Sequence, residues 1–198
     1  MAARSLFATR LYEADIGGGV LLAELAHSIR SLAEDDEAGR RWSKEHGYAG
    51  YTSYASLDDL PKRDPAFRTL AGRLSRHARG FARDLGWEVK PKLDSLWVNL
   101  LESRGHHAGH IHPHSILSGT LYVEVPRGSG AIRFEDPRLP LMMAAPPRSD
   151  SFVTVDPRAG MLLMWESWLR HEVLPGTGKG ERLSISLNFR RAASSRFP

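Results

Sequence analysis

The spacing of apolar residues changes near the middle of the chain. From Gly19 to Ala33, the residues Val20, Leu21, Leu25, Ile29 and Leu32 recur mostly at steps of three or four, the repeat of one helical face, and predict an amphipathic helix. A loop rich in Gly, Tyr and Ser follows from Gly47 to Ser56, and Asp58-Asp59-Leu60-Pro61 marks a break. A second helix is predicted from Asp64-Pro65, because Asp can cap a helix and Pro suits its first position. Phe67, Leu70, Leu74, Ala78, Phe81 and Leu85 keep helical spacing, and Gly86 stops the run.

Beyond Gly86 the period becomes two. Short apolar or alternating runs span Leu93 to Leu101, Ile116 to Val125, Ala131 to Glu135, Ser151 to Val155, Met161 to Trp165 and Arg182 to Phe189, each bounded by Gly, Pro or Asp turn residues. Strands without helices between them predict a sandwich or barrel, with the two N-terminal helices packed on one face. The expected class is therefore α+β, mainly β, in one domain over residues 1–198: a helical part to residue 90 and a β core from 91. Residues 136–150, with Pro137, Pro140, Pro146 and Pro147, are expected to form a long loop over a pocket mouth.

The last strand carries a second signal. In Arg182 to Phe189, Leu183, Ile185, Leu187 and Phe189 share one face, while Arg182, Ser184, Ser186 and Asn188 share the other. An edge strand with its polar side in water would show this pattern. So would a strand lining a polar cavity, where an Arg fork suits a carboxylate and Ser184 adds a hydroxyl donor.

Composition narrows the chemistry. The chain has 198 residues, 41% hydrophobic and 25% charged, and no apolar run approaches the ~18 residues of a membrane helix. With no run at the N-terminus resembling a signal peptide, the default expectation is a cytoplasmic protein. Zero cysteines exclude disulfides and thiolate metal sites, so a metal must be held by His, Asp or Glu. The formal charge of +4 comes from basic residues scattered among acids, which disfavours nucleic acid as a partner.

Five of the nine histidines are His106, His107, His110, His112 and His114. Such density is hard to reconcile with core packing, because each buried imidazole needs its own hydrogen-bond partner. On extended backbone, His110 and His112 can present two imidazoles to one ion, and His112 and His114 could do the same across Pro113. A solvated histidine loop is the alternative, but the cluster runs directly into the strand that begins near Ile116. His171, just beyond the strand Met161 to Trp165, is the natural third ligand.

His-x-His at 110–112, a distal His171 and Arg-x-Ser at 182–184 resemble the Fe(II)/2-oxoglutarate-dependent oxygenase superfamily, whose fold is a double-stranded β-helix, a jelly roll of cupin-like form. A narrower resemblance is to a bacterial group of such oxygenases. It is carried by Trp97-Val98-Asn99, the run from Gly109 to Tyr122, Asp136-Pro137, Pro157-Arg158-Ala159-Gly160 and Arg182 to Asn188, and it extends weakly through the N-terminal helices. The resemblance implies that His110, His112 and His171 bind Fe(II), and that Arg182 and Ser184 bind the distal carboxylate of 2-oxoglutarate, with Asn99 and Tyr122 as lesser co-substrate residues. The wider superfamily has His-x-Asp/Glu where this chain has His112, and three neutral imidazoles donate less negative charge to iron. His114 or Glu166 are further candidates near the metal.

The implied activity is hydroxylation of an unidentified small-molecule or peptide substrate with release of succinate and carbon dioxide. A cupin-like three-His metalloenzyme without 2-oxoglutarate and a non-catalytic metal-binding module are the rival readings. A homodimer is left open.

Overall fold

The computed structural model describes residues 2–4, 6–17, 19–146 and 151–192, without the side chain of Met142. Among the described residues, ten strands form two antiparallel sheets. The major sheet has the order β1 (Leu11–Asp15), β8 (Met161–Glu166), β5 (Leu117–Glu124), β10 (Arg182–Arg191), β3 (Pro91–Leu101) and β2 (Gly50–Thr52). The minor sheet has the order β4 (His107–His110), β9 (His171–Val173), β6 (Ile132–Glu135) and β7 (Phe152–Val155).

The two long predicted helices are present as α1 (Gly19–Asp35) and α4 (Pro65–Asp84). Asp64 caps α4 by accepting the Ala66 N–H at 2.7 Å, Pro65 occupies the first turn, and Gly86 takes a positive φ of 73° after the helix. Between them lie α2 (Glu37–Glu45) and the single turn α3 (Leu60–Arg63), neither of which the apolar pattern announced. No helix among the described residues is long and apolar enough to cross a membrane.

The helices pack on the outer face of the major sheet. Leu25, Ile29, Phe67, Leu70 and Leu74 meet Val98, Leu121, Leu183, Ile185, Leu187 and Phe189 in one core, all of them fully shielded from water. Each such side chain contributes roughly 1.5–3 kcal/mol of burial. A smaller core of Ile132, Phe134, Leu163 and Trp165 joins the minor sheet to the inner face of the major one. Parity on β10 thus sends its apolar residues to the helices and its polar residues between the sheets.

Residues 136–150 are the segment expected to form a long loop. They connect β6 to β7 at the free edge of the minor sheet and contain the turn α5 (Leu141–Ala144). None of residues 136–146 lines the cavity below, and residues 147–150 fall outside the described residues.

Candidate active site

Between the sheets lies a cavity of about 500 Å³. Its inner-sheet wall is set by register: Ser184 stands opposite Asn99 on one side and Tyr122 on the other, and Ser186 stands opposite Trp97 and Thr120. The polar row of β10 is therefore interior. Edge-strand exposure, the alternative reading of that row, is overturned by the position of β10 between β5 and β3.

β4 and β9 pair antiparallel with His110 directly opposite His171. His112 follows in the loop, held by its backbone N–H donating to the Ser167 carbonyl at 3.0 Å. One nitrogen from each of His110, His112 and His171 lies within 4.8 Å of the others. The His110 and His171 Nδ1 atoms approach the carbonyl oxygens of Ala108 and Leu169 at 2.7 and 2.9 Å. Because a carbonyl only accepts, each Nδ1 carries the proton and each Nε2 presents a lone pair, the tautomer a metal ligand needs. His171 Nε2 and His112 Nε2 are 3.3 Å apart. Burial, reinforced by neighbouring imidazoles, lowers the pKa of His112 to about 4 and that of His171 to about 3. All of this fits a divalent cation.

His114 and Glu166 are not part of this group. His114 is exposed, with a positive φ of 72°, and both residues line a separate surface hollow beside Trp168. Of the two tryptophans closest in sequence to the distal His, only Trp165 reaches the cavity; its ring packs edge-on to His171 with centroids 4.6 Å apart.

Arg182 also faces the cavity and is only 4% exposed. Its Nη1 donates to the Gly130 carbonyl at 2.8 Å, its Nε has no partner, and its guanidinium lies 5.6 Å from the Tyr122 ring centroid. No carboxylate among the described residues pairs with it. Burial lowers its pKa, opposed by the nearby Tyr122 and Tyr48. A buried guanidinium with an unused donor fits an incoming carboxylate. Ser184 is buried alongside.

Asn99 is fastened rather than free. Its amide donates to Ser186 Oγ at 3.0 Å, and its oxygen accepts from Thr52 Oγ1 at 2.9 Å and from the Tyr48 hydroxyl at 3.4 Å. The Tyr48 hydroxyl also meets His107 Nε2 at 3.0 Å. Burial, with Arg182 as the next cause, lowers the His107 pKa to about 4. Tyr48, Thr52 and His107 are cavity residues to which sequence reasoning assigned no role; the only hint was the tyrosine-rich loop and the density of histidines.

The fold is a jelly roll with three histidines between its sheets that could hold a metal ion. Residues 95–188, from β3 through β10, match the family model described as "Putative 2OG-Fe(II) oxygenase". The matched stretch is the β core, and the helices before β3 lie outside it.

Similar folds include a Pseudomonas putida prolyl-4-hydroxylase, 17% identical, covering 93% of this chain and 94% of that one with a TM-score of 0.62. AviO1 from Streptomyces viridochromogenes Tue57 is 15% identical over 96% and 93%, with a TM-score of 0.64. The epimerase SnoN, in complex with Fe3+, alpha ketoglutarate and nogalamycin RO, is 18% identical over 93% and 80%, with a TM-score of 0.65. No curated protein matches the chain.

Proposed function

We propose that His110, His112 and His171 bind Fe(II), that Arg182 and Ser184 hold the distal carboxylate of 2-oxoglutarate, and that the enzyme hydroxylates a substrate held in the rest of the cavity. The observation that carries this is the buried Arg182, without a carboxylate partner among the described residues, in the same cavity as three clustered imidazoles. When bound, the iron and its co-substrate supply oxygen activation, with 2-oxoglutarate leaving as succinate and carbon dioxide.

The chain's own residues bind and orient. The Ala108 and Leu169 carbonyls fix the ring tautomers of two ligands. The Tyr122 ring backs the guanidinium, and the Thr52, Tyr48 and Ser186 contacts hold Asn99 in place beside Ser184. Trp165 and Phe134 pack around His171 and keep water from that side of the cluster. A cytoplasmic setting, where structural disulfides are rare, suits a chain without cysteine.

Anaerobic titration of the Fe(II)-loaded protein with 2-oxoglutarate tests the assignment. Saturable binding is expected, followed under air by succinate formation. A metal-loaded protein that does not bind 2-oxoglutarate refutes it and favours a three-histidine enzyme of another kind.

A further inference from the structure

One wall of the cavity is aromatic. Trp42 comes from α2, Tyr54 from the segment after β2, and Trp97 from β3. Ring centroids are 5.9 Å apart between Trp42 and Tyr54, 5.3 Å between Tyr54 and Trp97, and 6.2 Å between Trp97 and His112. The series runs from Tyr54, 58% exposed, to the ring of a proposed iron ligand.

One carboxylate braces the wall, alongside the Thr52 N–H that donates to Ser43 Oγ of α2 at 3.2 Å. Asp36 caps α2 by accepting the Gly39 N–H at 3.0 Å, and it also accepts the Tyr51 hydroxyl at 2.8 Å and the Ser56 hydroxyl at 2.5 Å. It thereby ties the helix that carries Trp42 to the segment that carries Tyr54. Gly39 permits the close approach: a Cβ there would stand 2.3 Å from Asp36 Oδ2 and 2.8 Å from both Ser56 Oγ and the Tyr51 ring.

Charge narrows what the wall can receive. Among the described residues, no Asp, Glu or Lys lines the cavity, and Arg182 is its one fully charged side chain. If 2-oxoglutarate occupies Arg182, an anionic substrate finds no further cation among the lining side chains. A cationic one finds no carboxylate among them either. What remains is π surface and neutral hydrogen-bonding groups such as Thr120 and Asn188. The volume is in the range of small-molecule sites, roughly 300–1,000 Å³.

Resting on the 2-oxoglutarate reading above, we propose that the substrate is a small uncharged molecule with an aromatic ring that packs among the mutually inclined rings of Trp42, Tyr54 and Trp97. The test uses protein loaded with redox-inert Mn(II), first titrated with 2-oxoglutarate and then, at saturation, with three matched probes by calorimetry: 2-naphthalenemethanol, 2-naphthylmethylamine and 2-naphthoate. The neutral alcohol is expected to bind at least about tenfold more tightly than either charged probe. Removing one ring, in Tyr54→Ala or Trp42→Ala, should weaken it by about twofold to tenfold, while Tyr54→Phe keeps the affinity.

Failure of 2-oxoglutarate to bind in the first step would overturn the assignment of Arg182. A charged probe that outranks the alcohol after 2-oxoglutarate has bound, or an alcohol affinity indifferent to Tyr54→Ala, overturns the neutral-ring class alone. A capped pentapeptide with a central tyrosine that outcompetes the free alcohol overturns the small-molecule part of the proposal.

Discussion

Replacing Arg182 with methionine should move stability and co-substrate binding in opposite directions. The guanidinium is 4% exposed, makes one hydrogen bond to the Gly130 carbonyl and leaves Nε without a partner. Keeping an unpaired charge buried costs several kcal/mol, whereas an orphaned carbonyl costs about 1–3 kcal/mol. Methionine retains much of the length and packing. The metal-free Arg182→Met protein is therefore expected to be about 1–2 kcal/mol more stable than wild type, a rise in Tm of about 2–8 °C for a chain of this size.

Binding should suffer in the same variant. Losing one partner of a buried charge pair costs about 2–5 kcal/mol, which weakens 2-oxoglutarate binding by about 30-fold to several thousandfold. Differential scanning fluorimetry reads both effects. At 100 times its Kd, 2-oxoglutarate stabilises wild type by about 2.7 kcal/mol and should stabilise the variant by no more than about 0.9 kcal/mol at the same concentration. A variant that melts well below wild type yet retains the ligand-induced shift would show that Arg182 is a structural residue, and the co-substrate assignment would fall.

His110→Ala or His171→Ala should reduce Mn(II) or Fe(II) affinity by more than the roughly 10–100-fold typical of losing a supporting hydrogen bond, read by metal analysis after dialysis of untagged protein; equal metal content in both variants and wild type would contradict the site. Gly39→Ala should destabilise the protein by about 1–3 kcal/mol in urea unfolding, since the added Cβ displaces the Asp36 side chain from its partners; an unchanged midpoint would show that the α2 junction is loose. Metal-free protein should lose stability on acidification. His107 titrates near 4 in the folded chain against 6.5 unfolded, because burial and then Arg182 disfavour its charged form. The unfolded chain alone takes up the proton between those values, so this contribution is complete above about pH 6.5 and is lost as pH falls to about 4, up to about 3 kcal/mol. Urea midpoints at several pH values should fall over that window, less steeply in His107→Gln.

The parts of this protein that are legible in its sequence are those written on long regular elements. β10 is ten residues long, so its alternation of apolar and polar side chains is plain, and parity alone groups Arg182 with Ser184, Ser186 and Asn188 on one face. Whether that face meets water or a cavity depends on which strands flank β10, and strand order is a tertiary property. α1 and α4 carry enough apolar repeats, and α4 enough capping chemistry, to announce themselves. The strands that the pattern does not reveal are short: β2 and β9 have three residues each, β4 four and β1 five. α2 reads Glu-Ala-Gly-Arg-Arg-Trp-Ser-Lys-Glu, with hardly any apolar face; its position comes from the Asp36 cap and its contacts, which are tertiary facts.

This division follows the chemistry. The proposed iron and co-substrate residues lie on or beside β4, β9 and β10, and their roles follow from side-chain type and strand parity. The aromatic wall draws one ring from a polar helix, one from a loop and one from a strand, elements joined by Asp36, which is hydrogen-bonded to Gly39, Tyr51 and Ser56 at once, and by the Thr52 N–H on Ser43 Oγ. Residues distant in sequence that converge through such hydrogen bonds leave no local pattern. A related chain could therefore keep the metal and 2-oxoglutarate residues while altering α2 or the segment 50–56, and with that change accept a different substrate.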